Sequence, residues 1–455
     1  MIRWAGNKPG RRPLDIEAVD PARPLSSGAP RPPRLPRPLP KERSVSSAVL
    51  HPGDALSRRE RIVYILVLGA LVGLGPFTID LYLPAFPVIK DQFGVSDAAV
   101  QLTLTGTTVG FALGQLVVGP WSDRVGRRLP LIVATGLHIL ASLGAALAPD
   151  VTVLLVFRIL QGAGAAGGAV VAMAMVRDLF GGRPLVRMLS RLALVTGLAP
   201  ILAPVIGSQL LRFIDWRGVF YALTAYAILV VIAVTFFIVE TLPKDRVRIE
   251  EKGTLLRRYR SVLGDRVFVG VALIGGMQFA GLFSYLSSSS FLFQDVYGFD
   301  AQQFGILFGI NSLGVVIGNQ IAARLTKVVG PQWILAGVVT VQFLASATIV
   351  LLGTFTDAGL LGTLIPLFFF ILACGFGFPC VQVLGLVNHG HEAGTAASLL
   401  GAVNFGLAGA ISPIVGVIGI TSGVPMAAVM GACAVVSILS MWLIVQPRTV
   451  PALTN

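Results

Sequence analysis

From Ile62 to Gln446 the chain is a series of long apolar stretches divided by short polar segments. A helix needs about 20 apolar residues to cross a bilayer. Twelve stretches qualify, near 62–88, 98–120, 129–148, 151–175, 190–211, 217–239, 267–290, 303–323, 332–353, 358–382, 396–419 and 424–446. Proline and glycine inside them do not argue against helix, because lipid leaves the backbone no other partner. The pattern predicts an all-α membrane protein of twelve transmembrane helices. Its longest internal polar segment, 240–266, sets six spans apart from six. Residues 58–240 and 267–446 are therefore expected as two six-helix bundles, joined by a cytoplasmic linker at 241–266 and followed by a short tail, 447–455. Gly119 closes the second span and Gly318 falls late in the eighth, each before a short basic loop, a faint internal repeat.

Residues 1–57 break the pattern. The stretch Ala29–Pro40 is rich in proline and arginine and has no apolar period, which favours an extended, solvated chain. No apolar run before Ile62 could form the core of a signal peptide. The segment reads as a disordered basic cytoplasmic tail.

Composition sharpens this picture. The 455 residues are 55% hydrophobic and only 13% charged, about half the charged share of a soluble domain. A net charge of +13 suggests nucleic acid until the basic residues are placed. With the N-terminus in the cytoplasm, 31 of the 35 Lys/Arg fall on the inner side and three (Lys90, Arg212, Arg217) on the outer side. Arg158 alone lies within a span. That bias follows the positive-inside rule and puts both termini in the cytoplasm, so no nucleic-acid partner is expected. Cys374, Cys380 and Cys433 lie in apolar runs without metal spacing and read as buried free thiols.

A charge at bilayer centre costs about 2.5–3.5 kcal/mol, so ionisable residues inside spans are functional candidates. Only Asp80 and Arg158 sit clearly inside; Glu240 falls at an interface, and His138 reads as a neutral, hydrogen-bonded histidine. Both Asp80 and Arg158 lie about 7 Å outward of their span midpoints, at one level. Desolvation favours the protonated acid and a nearby guanidinium favours the carboxylate, a balance that lets a proton come and go. Pro76 and Pro84 bracket Asp80 and would open the helix locally to water.

Three further stretches carry physics of their own. Gly119–Arg128 is a tight turn that presents Asp123 among Arg124, Arg127 and Arg128, beside Gly126. Asp123 is expected either to accept from the amides of a facing helix N-terminus or to pair with Arg177. Arg158-Ile-Leu-Gln161-Gly162 leads into small residues that allow close packing. Ala199–Gly207 holds Pro200 and Pro204, a helix able to bend. Polar and aromatic residues inside spans, Tyr82, Gln115, Gln161, Gln278, Tyr285, Asn311, Asn319, Gln382 and Asn404, are candidates for a substrate cavity. Amides in such helices equally serve to bind neighbouring helices.

These stretches resemble the conserved motifs of the major facilitator superfamily. The first is close to its GxLxDrxGrr loop and the second to its RxxQGxgaa pattern. The third resembles the proline-glycine motif of antiporters, with Ala199, Ala203 and Ser208 where glycines are expected. Gly75–Pro87, Asp215-Trp-Arg217, Glu240–Pro243 and Phe283–Phe291 narrow the resemblance to bicyclomycin-resistance/CflA-type drug:proton antiporters, over about residues 60–446.

The resemblance implies a rocker-switch transporter of the bacterial inner membrane, acting as a monomer. It would export small lipophilic drugs against protons, with the proton gradient as energy source and no cofactor or metal. Asp80 would couple the proton, with Arg158 as its partner. Gly119, Asp123, Arg124, Gly126, Arg127 and Arg128 would form the inner gate, and Pro200, Pro204 and Gly207 the hinge. Export of a cellular metabolite such as an amino acid or sugar is the alternative. An intramembrane enzyme is disfavoured, since the one cluster, His389-Gly-His-Glu392, lacks the spacing of a helical zinc site.

Overall fold

A computed structural model describes residues 52–54, 56–242, 254–326, 328–389 and 393–450. Among these there is no strand, and twelve helices are long and apolar enough to cross a membrane. In the first half they are α1 (Arg58–Asp80), α2 (Asp97–Val125), α3 (Arg128–Ala146), α4 (Val151–Leu179), α5 (Gly182–Leu210) and α6 (Trp216–Phe237). The second half holds α7 (Arg266–Phe291), α8 (Ala301–Leu325), α9 (Pro331–Phe355), α10 (Gly359–Leu386), α11 (Ala393–Ile411) and α12 (Gly423–Leu439). Most of the expected tail lies outside the described residues, as do 243–253 of the linker, whose remainder carries a short helix, Thr254–Leu263.

Polar residues between spans start the helices. Ser96, Asp150, Asp215, Asp300 and Ser422 each accept a hydrogen bond from a first-turn amide of α2, α4, α6, α8 and α12. Ser57 with Glu60 and Asp265 do the same for α1 and α7 at the opposite end. Each satisfies amides that a helix start leaves without partners. Helix α2, at 29 residues, is about 44 Å long. That exceeds a hydrocarbon core of about 30 Å, so the helix is long enough to carry polar end residues such as Asp123 and Arg124 beyond it.

The first span departs from its expected run of 62–88. Helix α1 ends at Asp80, a 3-10 turn covers Leu83–Ala85, and a second helix runs Phe86–Phe93. Pro84 has no amide to offer the Asp80 carbonyl, and Pro87 none to offer Leu83, so the ladder stops there.

Helices α2 and α4 touch through backbone. A Cβ on Gly110 would fall 1.9 Å from the Ile159 carbonyl oxygen, and one on Gly162 2.1 Å from that of Thr107. Helices α8 and α10 repeat this contact in the second half, where Gly318 meets the Leu372 carbonyl and Gly375 that of Val315, both at 2.3 Å. The repeat is thus carried by a helix crossing, and Gly318 corresponds in contact to Gly110.

Candidate functional site

Asp80 is the last residue of α1, only 4% exposed, and its Oδ1 has no hydrogen-bond partner. Among the described residues no ion pair within 4.0 Å joins it to Arg158. The two do share a level, because the fully buried Arg158 donates from Nη2 to the Thr78 carbonyl, 2.9 Å away and two residues before Asp80. Its Nη1 donates to Gln161 Oε1 at 2.5 Å, and its guanidinium carbon lies 3.9 Å from the centre of the Tyr82 ring. A buried guanidinium needs acceptors and a π face when no carboxylate compensates it. The expected pair is therefore an indirect one, linked through the backbone of α1.

The network extends to α3. Gln161 Nε2 donates to Ser142 Oγ at 2.7 Å, and Ser142 Oγ donates to the His138 carbonyl at 2.7 Å. His138 Nε2 lies 2.9 Å from Thr78 Oγ1, and that hydroxyl donates to the Leu74 carbonyl at 2.6 Å. A hydroxyl has one proton; Thr78 has spent its own on Leu74, so the imidazole must be the donor. This accounting places a hydrogen on His138 Nε2. Thr78, His138, Ser142, Gln161 and Arg158 form one closed set that pins the end of α1 to α3 and α4.

On the other side of Asp80 stands the second half. The Tyr285 hydroxyl of α7 lies within electrostatic reach of the acid. It accepts from Asn311 Nδ2 of α8 at 3.2 Å, and its ring stacks on Phe308 at 5.4 Å between centres. Gln115 reaches α11, where a Cβ on Gly401 would fall 2.2 Å from its Oε1. Gln278 is buried with neither amide atom partnered, and Asn404 is buried with Oδ1 unpartnered. Asn319 and Gln382 are exposed. The structure thus brings Tyr82, Gln161, Tyr285 and Asn311 around Asp80 and Arg158, and sets the other cavity candidates apart from them.

Chain breaks at α1 and α5 meet. A Cβ on Gly207 would fall 1.9 Å from the Leu81 carbonyl oxygen, just beyond Asp80. Pro204 cannot donate to the Pro200 carbonyl, and Ser312 Oγ of α8 lies 3.4 Å from that oxygen. The α5 motif therefore touches both the acid's segment and the second half.

The Gly119–Arg128 turn is organised differently from its expectation. Asp123 pairs with Arg127 of its own turn, and neither a helix N-terminus nor Arg177 is its partner. Arg127 Nε also donates to Asp178 Oδ2 of α4 at 2.9 Å, and its Nη1 to Ser122 Oγ at 2.9 Å. Burial pushes the Arg127 guanidinium down, but Asp178 and Asp123 more than offset this and hold it above its ordinary value. The anion at the α3 N-terminus is Glu240, which accepts from the amides of Arg127 at 2.8 Å and Arg128 at 3.1 Å. The amides of Thr241 and Leu242 donate to it as well. Burial raises the Glu240 carboxyl, and these four amides outweigh it and hold it below its ordinary value. Gly126, at φ +99°, lets the turn close: a Cβ there would lie 2.5 Å from Glu240 Oε2. Gly119 and Arg124 lie on the same segment, and Arg128 donates to the Thr235 carbonyl at 2.6 Å.

Bonds between the halves gather at the opposite end. Lys90 pairs with Asp295 at 2.6 Å, and Gln294 Nε2 donates to the Pro84 carbonyl at 3.1 Å. Gln302 Nε2 donates to the Ser208 carbonyl at 2.9 Å. Gln101 bridges the Ser287 carbonyl at 3.2 Å and the Gly416 amide at 3.0 Å. At the Arg127 end, the bonds of Arg127, Arg128 and Glu240 stay in the first half, while Asp265 binds Asn388 and His389 in the second. Residues 390–392 of the His-Gly-His-Glu cluster lie outside the described set.

Residues 65–413 match the family model described as Major Facilitator Superfamily. The chain belongs to the Major Facilitator Superfamily. It is a multi-pass membrane transporter, 38% identical over 392 residues to the uncharacterized MFS-type transporter YdgK of Bacillus subtilis (strain 168), covering 86% of this chain and 97% of that one. It is also 29% identical over 385 residues to a bicyclomycin resistance protein homolog of Haemophilus influenzae (85% and 96%). To the multidrug resistance protein MdtL of Klebsiella pneumoniae (strain 342) it is 28% identical over 388 residues (85% and 96%). Among solved structures, a bacterial homolog of the human lysosomal transporter Spinster superposes with TM-score 0.69 at 16% identity, covering 87% of this chain and all of that one. The xylose transporter XylE of E. coli gives 0.67 at 16% identity (86% and 99%).

Several residues of this facilitator's site escape a linear reading. Glu240 finds its amides 113 positions away, and no local signal announces that. Asp178 and Thr78 are likewise ordinary in sequence. His138 and Ser142 do carry a signal, since an i, i+4 pair shares one face of α3.

Proposed function

We propose that this transporter exports small lipophilic drugs from the bacterial cytoplasm in exchange for protons. Its two halves, 58–240 and 267–446, would rock about the central site as a monomer in the inner membrane, with both termini in the cytoplasm. The observation that carries the reading is Asp80: a buried carboxyl with an unpartnered oxygen, with no counter-charge within 4.0 Å among the described residues, at a break in α1 and between the two halves. Such an acid gains a proton where water reaches it and sheds it when its surroundings change. Arg158, anchored on Thr78 and Tyr82, supplies positive potential at the same level without neutralising it by contact. The names of the relatives, which speak of bicyclomycin and multidrug resistance, support drugs as the cargo.

In the conformation described, the bonds of Lys90, Gln101, Gln294 and Gln302 tie the halves at the outer face. The inner turn is braced within the first half by Arg127, Asp178 and Glu240. That arrangement suits a state whose cavity is reached from the cytoplasm. Proton gradients suffice for the work, since one charge moved through 100 mV supplies about 2.3 kcal/mol. Drug efflux from everted vesicles under an imposed pH gradient tests the reading, with wild type set against Asp80→Asn. Proton-driven efflux is expected in the first and not in the second; equal proton-dependent efflux in both would refute the coupling.

A further inference from the structure

Five phenyl rings meet where the halves face each other. Phe111 of α2 and Phe405 of α11 lie 4.9 Å apart between centres, tilted by 35°, and join the two halves. Phe279 contacts Phe405 at 5.4 Å and Phe378 of α10 at 5.1 Å, and Phe283 contacts Phe405 at 6.2 Å. All but Phe378 fall within a turn or so of the middle of their helices. Phe111 and Phe283 are buried, whereas Phe279, Phe378 and Phe405 keep part of their surface free.

Two further observations make this more than packing. The Phe111 ring rests on α1, where a Cβ on Gly75 would lie 2.8 Å from its Cζ. Gly75 directly precedes Pro76 and stands five residues before Asp80. Next to Phe279 and Phe405 in sequence, Gln278 and Asn404 are at least nine-tenths buried, the Gln278 amide facing Gly377 of α10 and Asn404 Oδ1 facing Gly275 of α7. The Gln278 amide group and Asn404 Oδ1 lack partners, although buried amides ordinarily find them.

We propose that Phe111 and Phe405 are the specificity-determining pair of the transporter, a clamp for a planar aromatic ring carrying hydrogen-bonding groups on its edge. The inference rests on the drug-export reading above and names the substrate class. A flat ring replaces the Phe111–Phe405 contact by two ring–ring contacts, one with each half. The unpartnered groups of Gln278 and Asn404, one donor and two acceptors on the helices of Phe279 and Phe405, would bind its edge once a ring opens the contact. Because Phe111 leans on Gly75, the ring's entry is felt at the helix that carries Asp80. Aromatic pairs favour offset or tilted geometries at 4.5–7 Å, which suits planar rings and not bulky non-planar ones.

The test uses the purified full-length transporter in nanodiscs and two monocationic probes. Ethidium is planar with amino groups on its edge; tetraphenylphosphonium is aromatic but propeller-shaped. Phe405→Leu and Phe111→Leu are expected to weaken ethidium binding roughly two- to tenfold, the size of one ring–ring contact, with tetraphenylphosphonium within about twofold of wild type. Melting temperatures report that each variant stays folded, and Phe405→Tyr, which restores a ring, is expected to recover ethidium binding relative to Phe405→Leu. Equal losses for both probes, no loss for ethidium, or no ethidium binding to wild type each overturn the clamp. Drug export driven by protons is measured separately in vesicles and would stand in all three cases, so failure of the clamp is distinct from failure of the transport reading.

Discussion

His138 Nε2 of α3 donates to Thr78 Oγ1 of α1 across 2.9 Å, because that hydroxyl has given its own proton to the Leu74 carbonyl. The histidine is thus a structural strut between α1 and α3. Glutamine reproduces an Nε2 donor, so His138→Gln is expected to keep both transport and its pH profile. His138→Leu leaves Thr78 without its donor and should cost about 1–3 kcal/mol, read as a lower melting temperature. A pH profile displaced in the glutamine variant would show that His138 titrates during the cycle.

Arg158 makes its two bonds with the two arms of one fork, to Thr78 and Gln161. Lysine keeps the charge but lacks the fork. Arg158→Lys is therefore expected to retain the folded protein and lose at least tenfold in proton-driven efflux, roughly the worth of one charged hydrogen bond. Efflux within twofold of wild type would mean that positive charge alone is what Asp80 requires.

The inner turn is tested at Gly126. Its φ of +99° and the 2.5 Å approach to Glu240 make Gly126→Ala doubly unfavourable, by about 1–3 kcal/mol for the backbone alone. A melting temperature unchanged from wild type would contradict the tight turn.

Glu240 itself predicts a pH dependence. Its carboxyl is held below the ordinary value near 4.5, so its contribution to stability is present above that value and lost as pH falls through the folded one. Wild type should melt above Glu240→Gln at neutral pH, and the difference should shrink in acid below about 4.5. A gap that widens on acidification would show that the carboxylate is not what caps α3.

Lys90 tests the outer tie. It pairs with Asp295 and Asp97 while all three side chains keep 24–36% of their surface, so each pair is worth less than about 1 kcal/mol. Lys90→Met should thus shift the balance of conformations without unfolding. Spin labels at Arg212 and Asp357, both exposed and in opposite halves, should report a longer-distance population. An unchanged distance distribution would remove Lys90 from the closure.

By itself the sequence determined the twelve spans and the presence of one acid and one arginine within them. Those follow from composition and from 1.5 Å of rise per residue, which even placed Asp80 and Arg158 at one level. The sequence put Pro76 and Pro84 on either side of Asp80, but the run 62–88 reads as continuous: α1 passes through Pro76 and breaks before Pro84. Partners are another matter, because helical periodicity says which face is polar and nothing about what meets it. Only the tertiary structure decided that Arg158 binds the Thr78 carbonyl and Tyr82 in place of Asp80, that Glu240 and not Asp123 caps α3, and that Phe111 and Phe405 touch. Each of these joins residues far apart in the chain, and each depends on how closely two backbones approach, as Gly110 and Gly162 allow for α2 and α4.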